Sequence, residues 1–210
     1  DLGIYVLDAP SGTISGPLVR LGQQFASPFW LGDPVTPTQA IDFFTSSSLL
    51  YYQPVSWGRV GFDGRAVTIR EYPALVRPER PDVSADGRTL VYGVYDDNEH
   101  FLVIEDVATH LEVDRYAAEG GSSRGVYGFL YPSFDPTGHR IAVGAELGGR
   151  LDYGWNYEVW VLDRDTRRWT PLTGFAGQVR VGLPSGLDWS PDGRSIAVSG
   201  AAGGVYVVYP

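Results

Sequence analysis

Three stretches of the chain superpose without a gap: Val83-Ser-Ala-Asp-Gly-Arg-Thr-Leu-Val-Tyr92, Phe134-Asp-Pro-Thr-Gly-His-Arg-Ile-Ala-Val143 and Trp189-Ser-Pro-Asp-Gly-Arg-Ser-Ile-Ala-Val198. Each reads as an apolar residue, a tight turn closed by Gly87, Gly138 or Gly193, and an apolar strand. The glycines stand 51 and 55 residues apart. Self-similarity at such a period means one supersecondary unit repeated, which excludes most architectures at once.

A second element recurs between these stretches. Ile4-Tyr-Val-Leu-Asp8, Leu102-Val-Ile-Glu-Asp106 and Val159-Trp-Val-Leu-Asp163 are β-branched and aromatic runs ending in Asp, and Val205-Tyr-Val-Val-Tyr209 is a variant without it. Such runs suit strands on a half-buried pleated surface. Ser11, Thr109 or Thr166 follows each Asp by three residues, so Asp-x-x-Ser/Thr is expected to close a turn through side-chain to backbone hydrogen bonds.

Ordered along the chain, these elements give one unit: an inner strand, the Gly-closed turn, a second strand, a variable loop, the Asp-ended strand and a fourth strand. Four antiparallel strands in about 50 residues make a propeller blade. The expected fold is therefore all-β, a β-propeller of four-stranded antiparallel blades in a single domain, residues 1–210. The blade units fall at 1–25 (partial), 26–78, 79–130, 131–183 and 184–210 (partial). In unit 26–78 the second strand is expected at Ala40–Phe44 and the third at Leu49–Gln53, with Phe62-Asp-Gly-Arg65 as a hairpin turn. Both termini supply the same third strand, so they compete instead of completing one blade. The expectation is about four and a half blades of a larger ring.

Composition agrees: 27 Gly and 15 Pro supply the turns that many short strands need. The net charge of −9, with all 16 cations Arg and no concentrated basic run, argues against nucleic acid as a partner, since phosphate binding needs a basic footprint. No apolar run is long enough to span a membrane. With no Cys there is no disulfide, thiolate nucleophile or Cys-ligated metal, and the redox compartment stays open.

Trp189-Ser-Pro-Asp-Gly-Arg-Ser-Ile-Ala-Val198, with a Pro-Leu-Thr closing strand as in Trp169-Thr-Pro-Leu-Thr173, resembles the TolB-type propeller repeat, often called WD-like. The resemblance covers most of the chain from Pro81 to the end and, less closely, Asp1 to Pro78. Ala85 replaces the turn proline, and Thr137-Gly-His139 replaces Asp-Gly-Arg. It implies a bacterial protein working in the periplasm or outside the cell. It also implies a choice of roles: a binding or scaffold propeller, the gating propeller of a prolyl oligopeptidase-type serine peptidase whose catalytic domain lies elsewhere, or a structural subunit of an extracytoplasmic assembly. Fold alone does not choose among them.

Catalytic chemistry is thinly represented. Gly121-Ser-Ser-Arg-Gly125 fits the nucleophile-elbow pattern, but an elbow needs a strand-to-helix turn, and no helical periodicity follows. His100, His110 and His139 form no metal pattern and read as solvated turn residues. Asp96, Asp97 and Glu99 gather oxygen ligands of the kind Ca²⁺ takes, yet lack the glycine spacing of a calcium loop, and the plainer reading is a solvated hairpin tip. No cofactor and no catalytic residue is expected.

The longest insertion is Glu146 to Tyr157, which carries Tyr153, Trp155 and Tyr157; the connection Gly120 to Tyr131, with Arg124 and Tyr127, opens on the same blade face. Tyr, Trp and Arg dominate interface hot spots. Arg124, Tyr127, Tyr153 and Trp155 are thus candidate contacts to a protein or glycan. In the alternative reading Tyr157 begins a strand and Trp155 packs over the blade edge.

Overall fold

The structure, a computed structural model, describes residues 2–8, 11, 13–22, 25–29, 40–46, 55–72, 79–96, 99–117, 126–147, 156–172, 184–200 and 204–210. Among the described residues every regular element is a strand. The chain divides into two compact units, Asp1–Pro78 and Glu79–Pro210.

In the first unit, β1 (Leu2–Asp8) pairs antiparallel with β2 (Thr13–Gly22). A four-stranded antiparallel sheet follows, with β3 (Phe25–Phe29), β4 (Ala40–Ser46), β5 (Val55–Gly61) and β6 (Ala66–Tyr72) in chain order. The third strand is Val55–Gly61, while Leu49–Gln53 lies outside the described residues. The hairpin explains the shift: the 62–65 turn, with Gly64 at φ 80°, joins the third strand to the fourth, so the third must end at Gly61. Asp42, fully buried, accepts from Trp57 Nε1 at 2.8 Å and Arg59 Nε at 3.1 Å, which meets the requirement that a buried carboxylate be paired.

The second unit holds three sheets. β7 (Glu79–Val83), β8 (Thr89–Asp96), β9 (Glu99–Asp106) and β10 (Glu112–Ala117) form the first. β11 (Val126–Phe134), β12 (Arg140–Leu147), β13 (Asn156–Asp163) and β14 (Arg168–Pro171) form the second. β15 (Pro184–Trp189), β16 (Ile196–Gly200) and β17 (Val205–Val208) form the third. All neighbours are antiparallel.

The repeated turn is built from side chains. Ser84 Oγ donates to Asp86 Oδ1 at 2.6 Å and accepts from Thr89 N, while Asp86 Oδ1 accepts from Arg88 N. Ser190, Asp192, Arg194 and Ser195 repeat these bonds. In the middle copy the two roles are exchanged: Asp135 stands where the others have Ser, Thr137 stands where they have Asp, and Thr137 Oγ1 donates to Asp135 at 2.9 Å. Gly87, Gly138 and Gly193 close the turns at φ 70°, 73° and 67°, the left-handed region that glycine enters without strain.

Sheets stack through their faces. Leu102, Ile104, Val91 and Tyr116 of the first sheet meet Phe134, Ile141, Val143, Trp160 and Trp169 of the second in one core. Val159, Val161 and Ala142 of the second meet Trp189, Ile196 and Val198 of the third. Polar bonds pin the same joints: Trp169 Nε1 donates to Ala117 O and Trp189 Nε1 to Ser133 O, each at 3.0 Å. At Gly93 an added Cβ would lie 2.3 Å from Phe129 O, so glycine there sets how closely the first two sheets approach.

Candidate functional site

Strand register locates the segments that the sequence singled out. Val126 pairs with Leu147 and Leu147 with Asn156, so connections 118–125 and 148–155 spring from one end of the second sheet. In the first sheet, Ala117 pairs with Phe101 and Asp96 with Glu99, which brings the start of 118–125 and the β8–β9 hairpin to one end as well. The two ends adjoin. Gly128 of β11 lies between the sheets, where an added Cβ would be 3.1 Å from Glu146 Oε2 and 3.6 Å from His100 Nδ1.

Arg124, Tyr153, Trp155 and Asp97 lie outside the described residues. Tyr127 belongs to β11 and Asp96 to β8, with side chains outside the description; Glu99 opens β9 and is exposed. Tyr157 lies in β13, as the packing alternative expected. Among the described residues no group of His, Cys, Asp and Glu could hold a metal ion. Residues 121–125 are also outside the description, but the element after them is strand β11, where a nucleophile elbow requires a helix.

His100 corrects its expectation. It is not a solvated turn residue but part of β9, paired with Tyr95, and its burial pushes the imidazole down to about 4, so it is neutral near pH 7. Nothing in the sequence distinguished it, because the side chain is covered by a neighbouring sheet about 28 residues away. His110 and His139 do sit in turns: His110 at φ 58° lies 3.4 Å from buried Glu105, and exposed His139 lies 2.9 Å from Asp165 Oδ2.

At the opposite end of these sheets a cleft of about 530 Å³ opens between the 84–88 and 135–139 turns. Asp86, Asp114, Tyr116, His139, Arg164 and Asp165 line it. Tyr116 OH donates to Asp114 at 2.5 Å, and Arg164 Nη1 donates to Gly138 O at 2.6 Å. Asp86 is held below the usual carboxylate range, first by the Ser84 hydroxyl and then by the Arg88 amide. These groups largely bond one another, tying one turn to the next.

A third feature escaped the sequence reading. Asp82, Ser133 and Asp188 occupy one repeat position, each just before the apolar residue of its turn motif. Asp82 Oδ2 accepts the Phe134 amide at 2.7 Å, and Ser133 Oγ donates to Asp188 Oδ1 at 3.3 Å. Each bond crosses from one sheet to the next. Burial, aided by the charge of Asp188, raises the Asp82 carboxyl to about 6 against the two amides that stabilise its anion. The signal was available as a polar residue before an apolar one in each copy.

No protein-family model matches the chain, and no curated protein matches it. Among solved structures, a GH74 enzyme from Niastella koreensis is similar at 17% identity over 86% of this chain and 28% of its own, with a TM-score of 0.53. The fold is a β-propeller, with blades of three and four strands. A chain of a nidogen/laminin complex is similar at 17% identity over 78% of this chain and 53% of its own, TM-score 0.50. TolB from Acinetobacter baumannii matches at 15% identity over 81% of this chain and 49% of its own, but its TM-score of 0.41 is too low to argue from. The chain spans about half, or less, of the length of these structures. At such identity the likeness extends to the fold alone, and since an enzyme is among the neighbours, the propeller leaves catalysis open.

Proposed function

We propose that this chain is a non-catalytic binding propeller of an extracytoplasmic bacterial setting, recruiting a protein or glycan through the blade end that bears 97–98, 118–125 and 148–155. The observation that carries the reading is the register Val126 to Leu147 to Asn156, from which two long connections leave side by side. Those connections hold Arg124, Tyr153 and Trp155, with Tyr127 at the strand entry, the residue types that bury large area while keeping a polar group for orientation. His100 adds a neutral imidazole and Glu146 a carboxylate beside Gly128.

The test replaces residues 148–155 by a Gly/Ser linker of equal length and compares capture from extracellular extract and from a glycan array with wild type. Capture is expected to be lost by the replacement and retained by His139→Ala, at the opposite end. Capture that survives the replacement, or that His139→Ala removes, contradicts the assignment of this end.

A further inference from the structure

β7 is a five-residue strand at the edge of its sheet, and its ladder to β8 is broken. Glu79 pairs with Gly93, Asp82 with Val91 and Val83 with Leu90, with an irregularity between Glu79 and Asp82. Pro81 lies within that break and has no amide to give the ladder. From the second sheet the strand is met by a bond to a side chain: the Phe134 amide of β11 donates to Asp82 Oδ2 at 2.7 Å. The acceptor that seats β7 on its neighbour is thus a carboxyl, and its state of charge bears on the seat.

The surroundings of Asp82 resist its ionisation. Ser133, the buried residue before Phe134, donates its hydroxyl to Asp188 Oδ1 of the third sheet at 3.3 Å. The same hydroxyl favours the Asp82 anion, while burial and the charge of Asp188 oppose it. A hydroxyl has one proton to donate, so two ionised carboxylates contend for it. Of the elements packed on Asp82, β8 sets fully buried Val91 opposite it and bears its one charged residue, Asp96, at the far end. β11 bears no charged residue, β15 bears Asp188 alone, and β7 itself adds Glu79 and Arg80.

We infer that β7 is a pH-sensitive latch, seated on the second sheet while Asp82 holds a proton and released from it once Asp82 and Asp188 are both charged. Release gives the Asp82 carboxylate water and distance from Asp188, and it leaves the Phe134 amide open to solvent. The sign follows from the seated strand holding its proton more tightly than an exposed carboxyl does. The seat is firm below about pH 3.8 and weakens as pH rises through 6. That interval lets the opening equilibrium grow by about a hundredfold. The rest of each sheet keeps its ladder, so the event is local and distinct from unfolding of the chain.

Amide hydrogen exchange of the full chain, read by NMR from pH 4 to 8 and corrected for the intrinsic rate, tests this. Protection of the Phe134 amide is expected to fall by about fiftyfold over that range. The amides of β12, held between β11 and β13, serve as the internal control and should not follow. Asp82→Asn should make the Phe134 protection independent of pH. Asp188→Asn, at an exposed position, should shrink the fall and move it to lower pH, and Ser133→Ala should move it to higher pH. If Ser133→Ala does not fold, Asp188→Asn carries the comparison. Constant protection in the wild type, an equal fall in β12, a fall that survives Asp82→Asn, or a midpoint that Asp188→Asn leaves in place overturns the inference.

Discussion

At the scale of single residues, Asp82 ties stability to pH. Its carboxyl titrates at about 6 in the folded chain against 3.8 for the free group, so the folded state holds the proton more tightly. The stabilisation is complete below about pH 3.8 and is lost as pH rises through 6, leaving a desolvated anion whose cost is about 3 kcal/mol for a shift of roughly two units. Asp82→Asn keeps a carbonyl oxygen for the Phe134 amide and removes the charge. Urea unfolding is expected to show the variant more stable than wild type by about 1–3 kcal/mol at pH 8, with the gap closing by pH 4. A gap independent of pH would mean that the substitution acts by packing. This residue was legible in the sequence only as a polar position before an apolar one; its depth depends on a neighbouring sheet about 50 residues later, which no local pattern encodes. His100 was misread for the same reason.

At the scale of the element, the closure of the Asp-x-x-Thr turn was readable in the sequence. The spacing of Asp106 and Thr109, and of Asp163 and Thr166, is met by hydrogen bonds of 2.7–2.8 Å from both the amide and the hydroxyl. The Gly-closed turn was equally legible, since it rests on residues adjacent in sequence, and even the exchange of Ser and Asp in the middle copy keeps one hydroxyl and one carboxylate in reach. Gly193→Val tests it. An added Cβ meets Arg140 and Pro136 at an ordinary 3.5 Å, so the cost is backbone strain at φ 67° and not a clash, of order 1–3 kcal/mol. Thermal unfolding should place the variant clearly below wild type, and an unchanged midpoint would deny the left-handed closure. The third strand of unit 26–78 was misplaced because an apolar run at 49–53 outweighed the distance to its hairpin; the partner strand, not apolarity, fixes where a strand lies.

At the scale of the molecule, the period of the turn glycines carried the propeller fold, because each blade is a local unit whose strands follow one another in the chain. Partner recognition is not local in that sense. Which connections share an end follows from register, and register appears only when strands are paired: Val126, Leu147 and Asn156 are adjacent in the sheet and up to 30 residues apart in the chain. The central claim is that the end so formed binds a partner and that Trp155 is an anchor of the contact. The most direct measurement takes Trp155→Ala and reads both partner affinity and unfolding midpoint on one preparation. The account predicts affinity weakened by about 2 kcal/mol, near thirtyfold, with the midpoint nearly unchanged. Unchanged affinity with a lowered midpoint, the signature of a buried tryptophan truncated, would contradict it.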